Sequence, residues 1–106
     1  MRVAIPTDDK VKIATNLENC KGFMIFEAGN ENVRLIEFRN NPLMDGEDLS
    51  EDKKNQVIFN LLCDNEAVIC YKINKELSDM LKSAGLKIYK TLETIALKGV
   101  INTICR

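Results

Sequence analysis

Two stretches of this chain limit its fold more than any others. Phe23-Met24-Ile25-Phe26, ahead of Glu27, and Ala67-Val68-Ile69-Cys70-Tyr71 are apolar at consecutive positions over strand length. Successive side chains of a strand point to opposite faces, so these strands are apolar on both. Such strands belong inside a sheet whose two faces are both covered. The chain must therefore build layers, with helices on either side of a sheet.

The remaining segments supply those layers. Arg2-Val3-Ala4-Ile5-Pro6 reads as a first strand, with Pro6 ending its ladder by removing a donor. Thr7-Asp8-Asp9-Lys10 is a polar turn, and residues 11–21 are irregular. Gly29-Asn30-Glu31-Asn32 offers residues that tolerate positive φ, so the second strand and Val33–Arg39 form a hairpin closed off by Asn40-Asn41-Pro42. Ser50 or Asp48 caps a helix whose stripe is Val57, Ile58, Leu61 and Leu62. Asn74 caps a second, with Leu77, Met80, Leu81 and Ala84 on one side and Gly85 as its stop. Leu86–Tyr89 is a fifth strand. A last helix places Leu92, Ile95, Ala96, Val100 and Ile104 on one side, weakened at Gly99. The order is β-β-β-α-β-α-β-α. Strands reached through helices must run parallel by right-handed crossovers, while the hairpin is antiparallel. The expectation is one α/β domain over residues 1–106, with three layers and a mixed sheet.

Composition excludes several chemistries. The chain has no histidine, which removes Ser-His-Asp and Cys-His nucleophile systems and histidine-held zinc. A formal net charge of −1 gives no reason to expect nucleic acid or an anionic membrane as partner. The charge is uneven: residues 1–71 carry 8 Lys/Arg against 13 Asp/Glu, and residues 72–106 carry 7 against 3. No run approaches the roughly 20 apolar residues of a membrane span, and Met1–Pro6 is too short for a signal peptide. The expected compartment is the cytoplasm, where Cys20, Cys63, Cys70 and Cys105 stay reduced.

In open α/β sheets ligands collect beyond the carboxyl ends of the parallel strands, where strand order reverses. With the first and fourth strands side by side, that crevice is rimmed by the Thr7–Gly22 loop, the turn Tyr71-Lys72-Ile73-Asn74, and Lys90-Thr91-Leu92. Cys20 and Cys70 fall on this edge; Cys63 and Cys105 end descending helices and fall elsewhere. Cys20, beside Lys21, is the candidate for a thiolate of lowered pKa. Lys72, Lys75 and Lys90 would supply positive charge. Asp8 and Asp9 together suit a polar turn or, at most, Mg²⁺. A two-metal nuclease would need more carboxylates than this edge provides.

Five stretches carry a family resemblance: Val3-Ala4-Ile5-Pro6-Thr7-Asp8-Asp9, Phe23–Glu27, Glu37-Phe38-Arg39-Asn40-Asn41-Pro42, Ala67–Cys70 and Leu81–Tyr89. In this order and spacing the chain resembles the nitrogenase iron–molybdenum cofactor biosynthesis accessory family, the dinitrogenase cofactor-binding domain. The resemblance implies a ribonuclease-H-like motif with sheet order 3-2-1-4-5. It implies an iron–sulfur or iron–molybdenum–sulfur cluster as ligand and a cofactor-assembly or acceptor protein as partner. Many members have a His-Phe-Gly-Arg-like motif where this chain has Asn16, Leu17, Glu18 and Asn19. The family's glycine-rich turn after the fourth strand is Tyr71-Lys72-Ile73-Asn74-Lys75 here, without glycine. The leading expectation is a small non-catalytic cluster-binding or carrier domain. Cys20 and Cys70 would act as soft metal ligands, with Asn16, Lys72 and Lys75 around them. The alternative is a protein-interaction or regulatory domain of the same fold that holds no cofactor.

Overall fold

The computed structural model describes residues 1–29, 32–45 and 49–104. Its strands are β1 (Arg2–Thr7), β2 (Gly22–Ala28), β3 (Val33–Asn40), β4 (Ala67–Cys70) and β5 (Lys87–Lys90). The helices are α1 (Glu51–Leu62), α2 (Lys75–Ser83) and α3 (Ala96–Thr103), with a short 3₁₀ turn at Pro42–Asp45. The sheet order is β3-β2-β1-β4-β5. The pairs β1–β2 and β2–β3 are antiparallel, and β1–β4 and β4–β5 are parallel. The expected α/β fold and strand order are therefore observed.

Both faces of the central strands are covered, as their apolar runs require. On one face Ala4, Phe23, Ile25, Val68 and Cys70 pack with Ile58 and Leu62 of α1 and Leu77 and Leu81 of α2. On the other, Val3, Ile5, Met24, Phe26 and Ile69 pack with Ala96 and Val100 of α3. Gly99 belongs to this contact: a Cβ there would lie 3.2 Å from Ile13 Cδ1, so its small size serves the approach of α3 to Ile13 of the loop between β1 and β2. At the sheet's edge Arg39 of β3 donates to the Leu61 carbonyl at 2.7 Å, partnering a carbonyl at the end of α1. It also pairs with both oxygens of Asp64 at 2.7 and 2.8 Å.

Helix ends follow the local chemistry. Ser50 caps α1 through Lys53 N at 3.4 Å, and Asn74 caps α2 through Leu77 N at 2.8 Å. Asp48 and the middle of the Gly29–Asn32 turn lie outside the described residues. α2 ends with Leu86 N bonded to Leu81 O and Gly85 N to Lys82 O, both at 3.0 Å, the pattern that closes a helix on a left-handed glycine. Gly85 has φ +95°. Leu86 thus closes α2 instead of starting β5, and it packs in the same core as Leu81.

Three further expectations are corrected. Pro6 does not end β1, which continues to Thr7 opposite Gly22. The Pro6 carbonyl accepts from Ala14 N at 2.8 Å. A strand residue's N and O point to one side, so the missing donor faces away from β2. On that side the pairing with β4 covers only Val3 and Ala4. Second, Leu92 is not on the last helix: it stands in the β5–α3 loop, 98% exposed. The helix starts at Ala96, after Ile95. Third, Tyr71 lies past the end of β4.

Gly85→Ala should lower unfolding stability by about 1 kcal/mol, because L-residues resist the left-handed conformation. Urea denaturation checks this, and an unchanged midpoint would show that the α2 stop does not need glycine.

Candidate functional site

The crevice begins where β1 and β4 end and the chain leaves in opposite directions. After β1, Thr7 is fully buried and its hydroxyl donates to the Lys12 carbonyl at 2.6 Å. Asp9 Oδ1 accepts from Val11 N and Lys12 N at 2.9 and 2.8 Å. These bonds, that from Lys12 first, hold the Asp9 carboxyl below its usual pKa. Asp8 Oδ1 accepts from Lys21 N at 3.0 Å. Both carboxylates thus organise the loop, which is the polar-turn reading. Among the described residues no group of three or more Cys, Asp or Glu side chains is placed to hold a metal ion.

The loop after β1 and Tyr71 do meet the β5–α3 loop, but at Glu93, Thr94 and Ala96 instead of the expected Lys90-Thr91-Leu92. Ile13 N donates to Thr94 O and Ala96 N to Val11 O, both at 2.9 Å. Tyr71 Oη donates to Glu93 O at 2.6 Å. What stays open at this junction is a cleft of about 300 Å³ among Asp8, Asp9, Lys12, Thr15, Tyr71 and Thr94.

The loop's other half is fastened to the β4–α2 turn by a carboxylate. Glu18 Oε1 accepts from Asn74 Nδ2 at 2.7 Å and from Asn74 N at 3.3 Å. Asn74 Nδ2 also donates to Asn55 Oδ1 at 2.9 Å, and Asn55 Nδ2 donates to Glu76 Oε2 at 3.2 Å. Asn55, on the inward face of α1, is 2% exposed. A polar chain therefore runs from the loop through the cap of α2 to α1.

The candidate ligands are distributed differently from expectation. Cys20 and Cys70 lie on the same side of the sheet, but within the core, at 1% and 0% exposure. Cys20 Sγ donates to Leu17 O and Gly22 O, each at 3.2 Å. Burial pushes its thiol up to about 11, so the thiolate expected from neighbouring Lys21 is corrected: desolvation exceeds any help from an ammonium. Burial likewise raises Cys70 to about 11, with Lys90 opposing the shift and Glu18 adding to it. Cys63 is exposed at the end of α1, and Cys105 lies outside the described residues. Asn16 works within the loop, its Oδ1 accepting from Glu18 N and Asn19 N at 3.0 and 3.2 Å. Lys72 is exposed. Lys75 and Lys90 join Lys82 around a second cleft, between α2 and β5.

The chain's relationships match this architecture. The sequence profile of the dinitrogenase iron–molybdenum cofactor family fits residues 1–105. The chain belongs to that family. No curated protein matches it in sequence. Among solved structures it is similar to the apo form of the orange protein from Desulfovibrio gigas. The TM-score is 0.68 at 16% identity, over 95% of this chain and 83% of that one. A candidate dinitrogenase from Methanocaldococcus jannaschii has a TM-score of 0.64 at 22% identity, over 94% and 84%. A candidate NifB protein from Thermotoga has 0.61 at 24%, over 95% and 84%. At these identities the neighbours establish the shared fold. Among the described residues no helix is long and apolar enough to cross a membrane.

Sequence reasoning missed what Glu18 does. It noted a carboxylate in place of a flexible glycine, but the partner, Asn74, is 56 residues away. Lys75, Ser78, Asp79 and Lys82, in contrast, fall at i, i+3, i+4 and i+7, a helical period that marks one face.

Native protein treated with iodoacetamide at neutral pH should be alkylated at Cys63 and spared at Cys20 and Cys70, which react once denaturant is added. Peptide mass spectrometry reads the sites, and labelling of Cys70 as fast as Cys63 would contradict the burial described above.

Proposed function

We propose that this chain is a non-catalytic domain of cofactor handling that works by contact with an assembly or acceptor protein, and that its crevice does not hold an anionic metal–sulfur cluster. The observation that carries this reading is the Glu18 carboxylate seated against the Asn74 N–H groups. These groups belong to the turn where the family's glycines would bring backbone donors toward a ligand. A fixed carboxylate there repels a second anion, and Asp8 and Asp9 on the adjoining cleft add to the repulsion. The thiols do not fit a ligand role either, since both are buried and protonated at neutral pH. No step is therefore assigned to thiolate ligation. Non-catalytic action accords with the absence of histidine.

A second reading, a cluster carrier, draws on one feature. A cleft of about 740 Å³ lies beyond the carboxyl end of β5, with Lys90 and Lys98 on its lining and Asn102 beside them. A cluster held there as cargo would be kept by charge and hydrogen bonds, without cysteine.

Anaerobic titration with a cluster donor, followed by absorption, separates the readings. The proposal expects no charge-transfer band. A band that survives in Cys20→Ser and Cys70→Ser supports the carrier reading. A band abolished in Cys70→Ser would overturn both and return the thiols to the site.

A further inference from the structure

The α2 face that carries Lys75, Ser78, Asp79 and Lys82 borders a cleft of about 510 Å³, closed on its far side by Ile88 and Lys90 of β5. That size lies in the usual range for small-molecule sites, roughly 300–1,000 Å³. Ile73 and Ile88, both half-buried, give it an apolar floor. Two observations suggest that its polar groups serve a ligand. Ser78 is only 8% exposed, yet its hydroxyl has no hydrogen-bond partner among the described residues. The hydroxyl is not one of the described buried polar atoms left unsatisfied, so it is reached from the cleft that Ser78 lines, where it can donate to an acceptor. Lys75, Lys82 and Lys90 also make no ion pair among the described residues, and neither does Asp79. Three ammonium groups against one carboxylate leave a surplus of two positive charges around one cavity.

We propose that this cleft binds the phosphate group of a small phosphorylated molecule. A phosphate monoester carries about −1.5 to −2 charge at neutral pH and three strong acceptor oxygens. The charge matches the surplus, and the oxygens suit three separated ammonium groups and a hydroxyl donor better than a two-oxygen carboxylate does. Ser78 donates to one phosphate oxygen, the lysines neutralise the others, and Ile73 and Ile88 carry the apolar body of the ligand. Asp79 repels a second phosphate, so a single-phosphate compound fits and a polyanionic strand does not. The site is separate from the β1/β4 crevice and does not depend on the function proposed for it.

The test is a titration of the whole chain with phenyl phosphate at constant ionic strength, followed by amide resonances. Saturable shifts in residues 73–82 and 88–90 are expected. Ser78→Ala and Lys82→Gln should each weaken binding about tenfold, the scale of one charge-assisted hydrogen bond. Lys54→Gln, on α1, should leave it unchanged. Sodium chloride producing the same shifts, or full binding in both Ser78→Ala and Lys82→Gln, overturns the site. Inorganic phosphate should bind more weakly than phenyl phosphate; equal affinity overturns the role given to Ile73 and Ile88. Loss of one hydroxyl or one exposed ammonium leaves the helix intact, and circular dichroism checks that both variants are folded.

Discussion

The whole arrangement depends on β1 being enclosed from every direction. It pairs with β2 on one edge and β4 on the other, and Val3, Ala4 and Ile5 are fully buried on its two faces. Its two neighbours run in opposite senses relative to it. The hairpin partner leaves on one side, and the first helical crossover delivers β4 to the other. The chain therefore diverges where these strands end, and a crevice at that edge follows from topology before any side chain is considered.

In this chain polar side chains narrow the crevice to a cleft of about 300 Å³. Glu18 fastens the β1–β2 loop to the cap of α2, Asn55 continues the link to α1, and Tyr71 ties β4 to the β5–α3 loop. Cys20 and Cys70 are out of solvent in the apolar core between the sheet and α1 and α2. An iron–molybdenum family fold is thus preserved around a centre lined by carboxylates, while unpaired lysines gather on the outer side of α2.

Much of the fold was legible because it rests on local and periodic signals. Phe23–Phe26 and Ala67–Cys70 announced interior strands, Ser50 and Asn74 announced helix starts, and Gly85 announced a stop. Pro6 misled because its missing donor matters only if a neighbour needs it, and β4 has already diverged there. Leu92 misled because it continues the helical spacing of Ile95 and Ala96 although the helix begins after it. The site was less legible. Cys20 looks solvent-facing between Asn19 and Lys21, yet the loop folds inward and desolvation then governs its chemistry. The Glu18–Asn74 contact joins segments that no periodicity connects, so only the folded chain displays it.

The central claim is that the Glu18 carboxylate narrows the crevice by holding Asn74. A double-mutant cycle of Glu18→Ala and Asn74→Ala, measured by urea unfolding, tests it most directly. The cap lost with Asn74 is common to both backgrounds and cancels. A coupling free energy of about 1–2 kcal/mol is predicted for a charge-assisted bond in this half-buried setting. Additive effects, with no coupling beyond error, would mean that the two residues do not hold the crevice narrow.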